Sequence, residues 1–595
     1  MKSQMKMVAA AILAASLVGS NAYAGDPPAP AKKHATKKPP KPTVEDQINA
    51  LRQEFQGQID GLKSDLATKD AQLKQAQQTA TDAQAAAQKA EADATAQQQA
   101  VTDNNSAVST LKSTVDDMKQ SNASIVSSFT DETSAIKKKI ESPSAIYYKG
   151  ITISPAGSFL AAETVWRQGG TGGGLNTQFT GVPLDNSEAA QLTEFQGSGR
   201  QSRLAIKAVG KLDKMTMTGY YEMDWLSSGV TSNNNQSNSY TLRQRQLWAD
   251  AKLTNGWDFS GGQGWSLATE TTQGLTRGTE ILPASIDPQY MAGFVWTRQY
   301  SFRVSKDFGK SFFLGIAAEN AETLNPGGQN LPTNLLLTTV GNTGGLYDNQ
   351  SNYSYNLTPD FIAKIAIEPG WGHWELFGIG RSFRDRIYPA VGTPFNNTAW
   401  GGGIGAGFRG PLAGKKVTIG LKGLYGDGVG RYGSSTIADI TLRPDATISP
   451  LHGFSGIGTL EMNPSARLNL YFNYGGDYIG RDYAIDPNSG KEVGYGTYTV
   501  NMSGCNTENA SSSANASANP GTPTNCGANT KDVQEFSAGW WYNIYSGPKG
   551  RFRQGFQYAL FKRNLWSGAG GTLNPSGSAS GTDNMWWTSF RYYLP

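Results

Sequence analysis

The side chains best placed to do chemistry in this sequence are basic: Arg203 with Lys207, Arg243 with Arg245, Arg303 and Arg553. Arg203 and Lys207 alternate with Leu204 and Ile206, and Arg303 stands between Phe302 and Val304. On a β-strand that spacing puts charge on one face and apolar groups on the other. Guanidiniums lining a water-filled constriction attract anions, and carboxylates above all, by their field and by paired hydrogen bonds. The competing outcome is that they pair with acids such as Glu222 and Glu319 and only brace a wall.

Signals for catalysis are weak. His34, His373 and His452 have no metal-ligand or triad partner at a recognisable spacing. Glycines at alternate positions from Gly401 to Gly407 come without the Lys-Ser/Thr of a phosphate loop, and make room for a neighbouring aromatic ring instead. Cys505 and Cys526 lie in a Ser/Asn/Ala/Gly-rich stretch with no histidine nearby, which points to a loop-stapling disulfide rather than a metal site. No cofactor, metal or nucleic-acid partner is expected. A net charge of +4 supplies no global field, and only 17% of residues are charged.

The elements that must carry these arginines are membrane strands. The stretch Trp586 to Pro595 alternates Trp586, Thr588, Phe590, Tyr592 and Leu594 with Ser589 and Arg591. An aromatic outer face backed by a polar inner one is the pattern of a transmembrane barrel. The same alternation recurs at Phe361, Ala363, Ile365 and Ile367 against Lys364 and Glu368, at Leu421 against Lys422, and at Phe472 and Tyr474 against Asn473. The strand around 374–383 has apolar residues in both phases, so its inner face cannot be chosen. Arginine facing mid-bilayer lipid costs roughly 2 to 4 kcal/mol, so the basic positions must point inward or sit at the rim. Seven short turns, near residues 213, 255, 309, 370, 412, 463 and 548, alternate with eight longer loops. The expected fold is therefore an all-β barrel of sixteen antiparallel strands over residues 150–595, closed so that lipid meets no strand edge.

Ahead of the barrel three segments are distinguished. Residues 1–24, with Lys2, Lys6, an apolar core and Ala22-Tyr23-Ala24, form a removable signal peptide. Residues 25–43 are a Pro/Lys-rich tether, able to meet an anionic polymer such as peptidoglycan or simply to be solvated. Residues 44–141 keep an apolar repeat of 3.5 residues, including Val108, Leu111, Val115, Met118, Ile125 and Phe129, with Asn104 and Asn122 in the seam. That is a coiled coil, and it needs other copies against which to bury its stripe.

Five short runs together resemble the DcaP-type trimeric porins: Gly199-Arg200-Gln201-Ser202-Arg203-Leu204, Leu242 to Trp248, Gly262-Gln263-Gly264-Trp265-Ser266, Arg298-Gln299 with Arg303, and Glu319-Asn320. The similarity spans the helical segment and the first half of the barrel. It implies a homotrimer in the outer membrane of a Gram-negative-type bacterium, with the coiled coil in the periplasm. It further implies passage of small anionic solutes such as dicarboxylates, and a third loop, 269–293, folded inward so that Glu270, Glu280 and Asp287 approach the arginines. The expected function is a passive diffusion channel for small hydrophilic solutes. A carbohydrate-selective porin, using Trp541 and Tyr471 as an aromatic slide, and a structural tether to the cell wall with a plugged barrel are the alternatives.

Overall fold

A computed structural model describes residues 145–595, apart from 171–174, 176–178, 227–241, 325, 337–355, 413–415, 509–524 and 573, together with 115–116, 118–133 and five helical positions between 78 and 89. The signal peptide, the tether and most of the coiled-coil repeat lie outside the described residues. The chain divides into two units, one from Ala156 to Leu594 and an N-terminal one ending at Pro155.

In the N-terminal unit, residues 118–133 are helical. Val115 and Ile125 are each 37% exposed and Val126 is 50% exposed, so apolar side chains stand open on a single copy. A short hairpin, Ile146–Tyr148 with Ile151–Ser154, follows.

The larger unit is built of sixteen staves. They are β1 (Phe159–Arg167), β2 (Arg203–Lys211, continued towards the loops by Glu194–Ser198), β3 (Met215–Asp224) and β4 (Arg243–Leu253). Next come β5 (Trp257–Trp265), β6 (Arg298–Phe308), β7 (Phe312–Glu319) and β8 (Asp360–Ile367). They are followed by β9 (His373–Ile387), β10 (Phe395–Leu412), β11 (Val417–Asp427) and β12 (His452–Met462). The last four are β13 (Leu468–Ile479), β14 (Thr530–Gly547), β15 (Gly550–Leu565) and β16 (Ser580–Tyr593). Each pairs antiparallel with the next, and β16 returns to β1 in the register Met585↔Arg167 to Tyr593↔Phe159, which closes the ring. Lipid offers no hydrogen bonds, and an open edge there would cost several kcal/mol for each unpaired group.

Among the described residues, six of the seven short turns fall where the sequence puts them; the other, around 412, lies mostly outside the described residues. The fifth loop is only 388–394, because β9 and β10 run on past the expected strand ends and pair as far as Ile387↔Phe395.

Inside and outside are inverted relative to a soluble protein. On β7 the exposed residues are Phe312, Leu314 and Ile316, whereas Phe313, Ala317 and Glu319 are buried. On β8 Phe361 and Ile367 face out while Asp360 and Lys364 are fully covered. The undecided strand resolves in β9: Trp374 and Leu376 are exposed, and Glu375, Phe377, Ile379, Arg381 and Phe383 face in. Its inner apolar groups pack against loops that enter the barrel, in a cluster with Leu267, Leu275, Leu424, Val429 and Tyr432. The glycines of β10 make space as expected, since a Cβ at Gly405 would collide with the Phe377 ring.

Placing arginine at Ile316, which is 56% exposed in the middle of β7, is expected to cost roughly 2 to 4 kcal/mol in reversible folding into lipid vesicles. A loss under 0.5 kcal/mol, the range of an ordinary surface change, would put this face in contact with something other than lipid.

Candidate functional site

Loop 3, residues 266–297, leaves β5 and does not cover the mouth: it lies inside the barrel. Ser266, Ala268, Thr269, Leu275, Met291 and Ala292 are completely or almost completely buried. Wall side chains hold it through its backbone N–H groups. Leu267 N donates to Glu319 Oε1 at 2.8 Å, Thr271 N to Glu375 Oε1 at 2.8 Å, and Gly274 N to Glu368 Oε1 at 2.6 Å. On the far side Ile286 N donates to Gln557 Oε1 at 2.7 Å, Ala292 N to Glu535 Oε2 at 2.8 Å, and Gly293 N to Asp477 Oδ2 at 3.0 Å. The loop thus spans from the β7–β9 wall to β13, β14 and β15. Ala292-Gly293 lies flat against the sheet: Gly293 has φ +77°, and a Cβ on Gly293 or Gly475 would strike opposing backbone.

Loop 6, residues 428–451, enters as well. Arg381 Nη1 donates to Asp439 Oδ1 at 2.7 Å and its Nε to Asp360 Oδ2 at 3.2 Å; Tyr432, fully buried, donates to Asp360 at 3.0 Å. Trp296 N donates to Tyr432 O at 2.9 Å, joining the two inserted loops.

The expected lumen residues divide into three kinds. Arg245, Arg243 and Arg203 form a ladder with Glu222 and Asp224. Arg245 reaches Glu222 at 2.6 Å and Asp224 at 2.7 Å, Arg243 reaches Asp224 at 2.9 Å, and Arg203 lies 3.7 Å from Glu222. Arg245 is fully buried and braces the wall, whereas Arg203 and Arg243 keep 21% and 32% of their side-chain surface in water. Arg303 is sealed at 2% exposure, paired with Glu280 of loop 3 at 3.0 Å. Lys207 and Arg553 have no ion pair with a described residue; Arg553 stacks 3.9 Å from the Trp541 ring centroid and donates to the Tyr593 hydroxyl.

Of the three loop acids, Glu280 does meet the arginine wall. Glu270 instead faces Arg409 at 3.8 Å. Asp287 lies buried near Glu163 and Arg591; burial, reinforced by the Glu163 charge, pushes its carboxyl up to about 7. Glu319 pairs with no arginine and accepts from Gln299 Nε2 at 2.6 Å. Cys505 and Cys526 are joined in a disulfide, buried with Val500, Met502 and Leu565 in a cluster among the long loops. Trp541 and Tyr471 face inward but are 3% and 0% exposed, so neither offers a ring to a passing solute.

Sequence reasoning missed several members. Lys364 and Lys422 both clamp Glu375, at 2.6 and 2.7 Å, and His373, the first residue of β9 rather than part of a turn, bridges Glu368 and Glu375 with Thr271 3.0 Å from its Nε2. The contacts of Lys422 with Glu375 and of Thr271 with His373 join residues far apart in sequence, and only the inward phase of Lys364 and Lys422 hinted at the cluster. Arg591 is bound to Glu163 at 2.6 Å, and Arg203 and Arg591 each sit 5.1 Å from the Phe159 ring centroid.

A closed ring of sixteen antiparallel strands, short turns at one end, long loops at the other and the third loop packed within: this is a porin fold. Solved structures similar to it include the outer membrane channel DcaP of Acinetobacter baumannii, at 13% identity over 75% of this chain and 99% of that one, with a TM-score of 0.49. OprB of Pseudomonas putida aligns at 12% identity over 74% and 94% of the two chains, TM-score 0.36. An anion-selective porin from Comamonas acidovorans aligns at 10% over 75% and 99%, TM-score 0.37. No protein-family model matches the sequence, and no curated relative does.

Replacing Glu280 by glutamine leaves Arg303 charged and buried without its counter-ion, a change that costs about 3 to 5 kcal/mol when the site cannot relax. Loop 3 is expected to loosen around Glu280, read as higher conductance and open-state noise of the purified barrel in planar bilayers. Current traces indistinguishable from wild type would mean that this pair does not hold the constriction.

Proposed function

We propose that this porin barrel is an outer-membrane diffusion channel for small hydrophilic solutes, with a preference for anions. The observation that carries the reading is the charge of the wall left beside loop 3. Along β15, β16, β1, β2, β4 and β6 stand the guanidiniums of Arg553, Arg591, Arg203, Arg245, Arg243 and Arg298, against the carboxylates of Glu163, Glu222, Asp224 and, from the loop, Asp287. Lys207 adds to the excess. Cations in such a wall outnumber their counter-ions, and a narrow water path with low-dielectric walls amplifies the difference. Passage is passive, with Arg203, Arg243 and Arg298 as the groups that meet the solute.

The inverted burial pattern supports the membrane location, and the exposed Val115, Ile125 and Val126 support a homotrimer zipped by the helical segment in the periplasm. A carbohydrate channel is disfavoured by the burial of Trp541 and Tyr471. The depth to which loops 3 and 6 fill the lumen favours a second reading, a structural anchor to peptidoglycan whose barrel is plugged.

Purified protein in planar bilayers separates these readings. A channel with reversal potentials favouring chloride over potassium is expected, with conductance lost in steps of three. Exchanging Arg203 and Arg243 for glutamine together should lower the anion-to-cation permeability ratio severalfold. A persistently silent bilayer favours the anchor, and cation selectivity removes the role of the arginines.

A further inference from the structure

Arg298 begins β6, where loop 3 rejoins the wall, and no described carboxylate lies within ion-pair distance of it. Its Nη1 donates to Gln289 Oε1 at 3.0 Å, and its Cζ stands 5.3 Å from the Trp265 ring centroid and 5.8 Å from that of Trp296. The charges of Arg245 and Arg243 act on it most strongly, opposed by those of Glu222 and Asp224 beyond ion-pair distance. It is partly exposed, as are Leu282, Tyr290 and Trp296 of loop 3.

Those three loop residues are apolar or aromatic, and each is braced from behind. Leu282 and Trp296 rest on the buried cluster of Met291, Phe294 and Ile457. Trp296 stacks on Phe294 at 6.4 Å and is tied through its Nε1 to Ser434 Oγ at 2.9 Å; Tyr290 stacks on Phe179 at 6.3 Å. The narrow path is therefore two-sided, with guanidiniums on the wall and a rigid apolar surface on the loop. A fully hydrophilic anion gains nothing from the second side and must still pass it.

We propose that this eyelet binds aromatic carboxylates, the carboxylate on Arg298 with help from Arg243 and the ring against Trp296 and Leu282. The inference rests on the anion-channel reading and narrows it to a class of solute. An unpaired guanidinium flanked by indoles is the arrangement that gains most from such a ligand: the carboxylate supplies its missing counter-ion and a flat ring extends the aromatic stack. Stacking of this kind is expected to favour benzoate over acetate by about threefold to tenfold.

The test uses the purified full chain in planar bilayers carrying chloride current, with benzoate and acetate added in turn and the concentration that halves the current recorded for each. Benzoate is expected to act at the lower concentration. Trp296→Leu, which keeps apolar packing on Phe294 and removes the flat ring, should bring benzoate to the level of acetate, and Arg298→Gln should raise both concentrations. A β-sheet circular-dichroism spectrum and a melting temperature like those of wild type show that each variant has folded. Equal values for the two acids in an anion-selective wild-type channel, or an undiminished benzoate preference in Trp296→Leu, overturns this inference and leaves the channel reading intact. Cation selectivity, or no conductance, overturns the channel reading itself and this inference with it.

Discussion

Hydrocarbon cannot hydrogen-bond to a peptide group, and every feature of this barrel follows from that deprivation. A strand edge in lipid would leave a row of N–H and C=O groups unpaired, so the first and last strands must find each other. They do so through β16 and β1, separated by almost the whole barrel sequence, with Trp586 against Trp166 at 4.7 Å and Phe159 against Tyr593 at 5.1 Å. Once the ring is closed, each strand has one face for lipid and one for the lumen. Polar and charged side chains then have one place to go.

A lumen so crowded with charge would ordinarily be costly, and the inserted loops resolve it. Wall carboxylates accept hydrogen bonds from the backbone of loop 3, and the loop's own Glu280 and Arg277 side chains add ties to Arg303, Ser260 and Ser301. Leu282, Tyr290 and Trp296 of the loop stay partly exposed, with Leu282 and Trp296 packed on Met291, Phe294 and Ile457. Loop 6, through Arg381, Asp439 and Tyr432, buttresses loop 3 from behind, which makes the constriction a packed structure rather than a strand of chain hanging in water.

Much of this was legible in the residues. Strand phase is local, because successive side chains alternate whatever the neighbours are, and so Phe361 against Lys364 and Leu421 against Lys422 were readable directly. Turn positions were equally plain, as glycine, asparagine and proline interrupt that alternation. Strand 374–383 was not readable, since Phe377 and Phe383 face inward towards loops whose course no local pattern describes. The same holds for His373, whose partners Thr271 and Glu368 come from a loop and a turn, and for Arg409, which takes the place beside Glu270 that the arginine wall was expected to hold.

The sequence by itself determined the count of strands, the direction each face looks, and that the basic residues must line the interior, because these depend on period-two geometry and on the cost of charge in lipid. Only the tertiary structure decided which arginines are sealed in bracing the wall and which keep part of their surface exposed. Arg245 and Arg303 find carboxylates across strand and loop boundaries and are sealed, whereas Arg298 finds none and stays beside its tryptophans. That outcome turns on distances between segments brought together by ring closure and loop insertion, and no spacing along the chain encodes them.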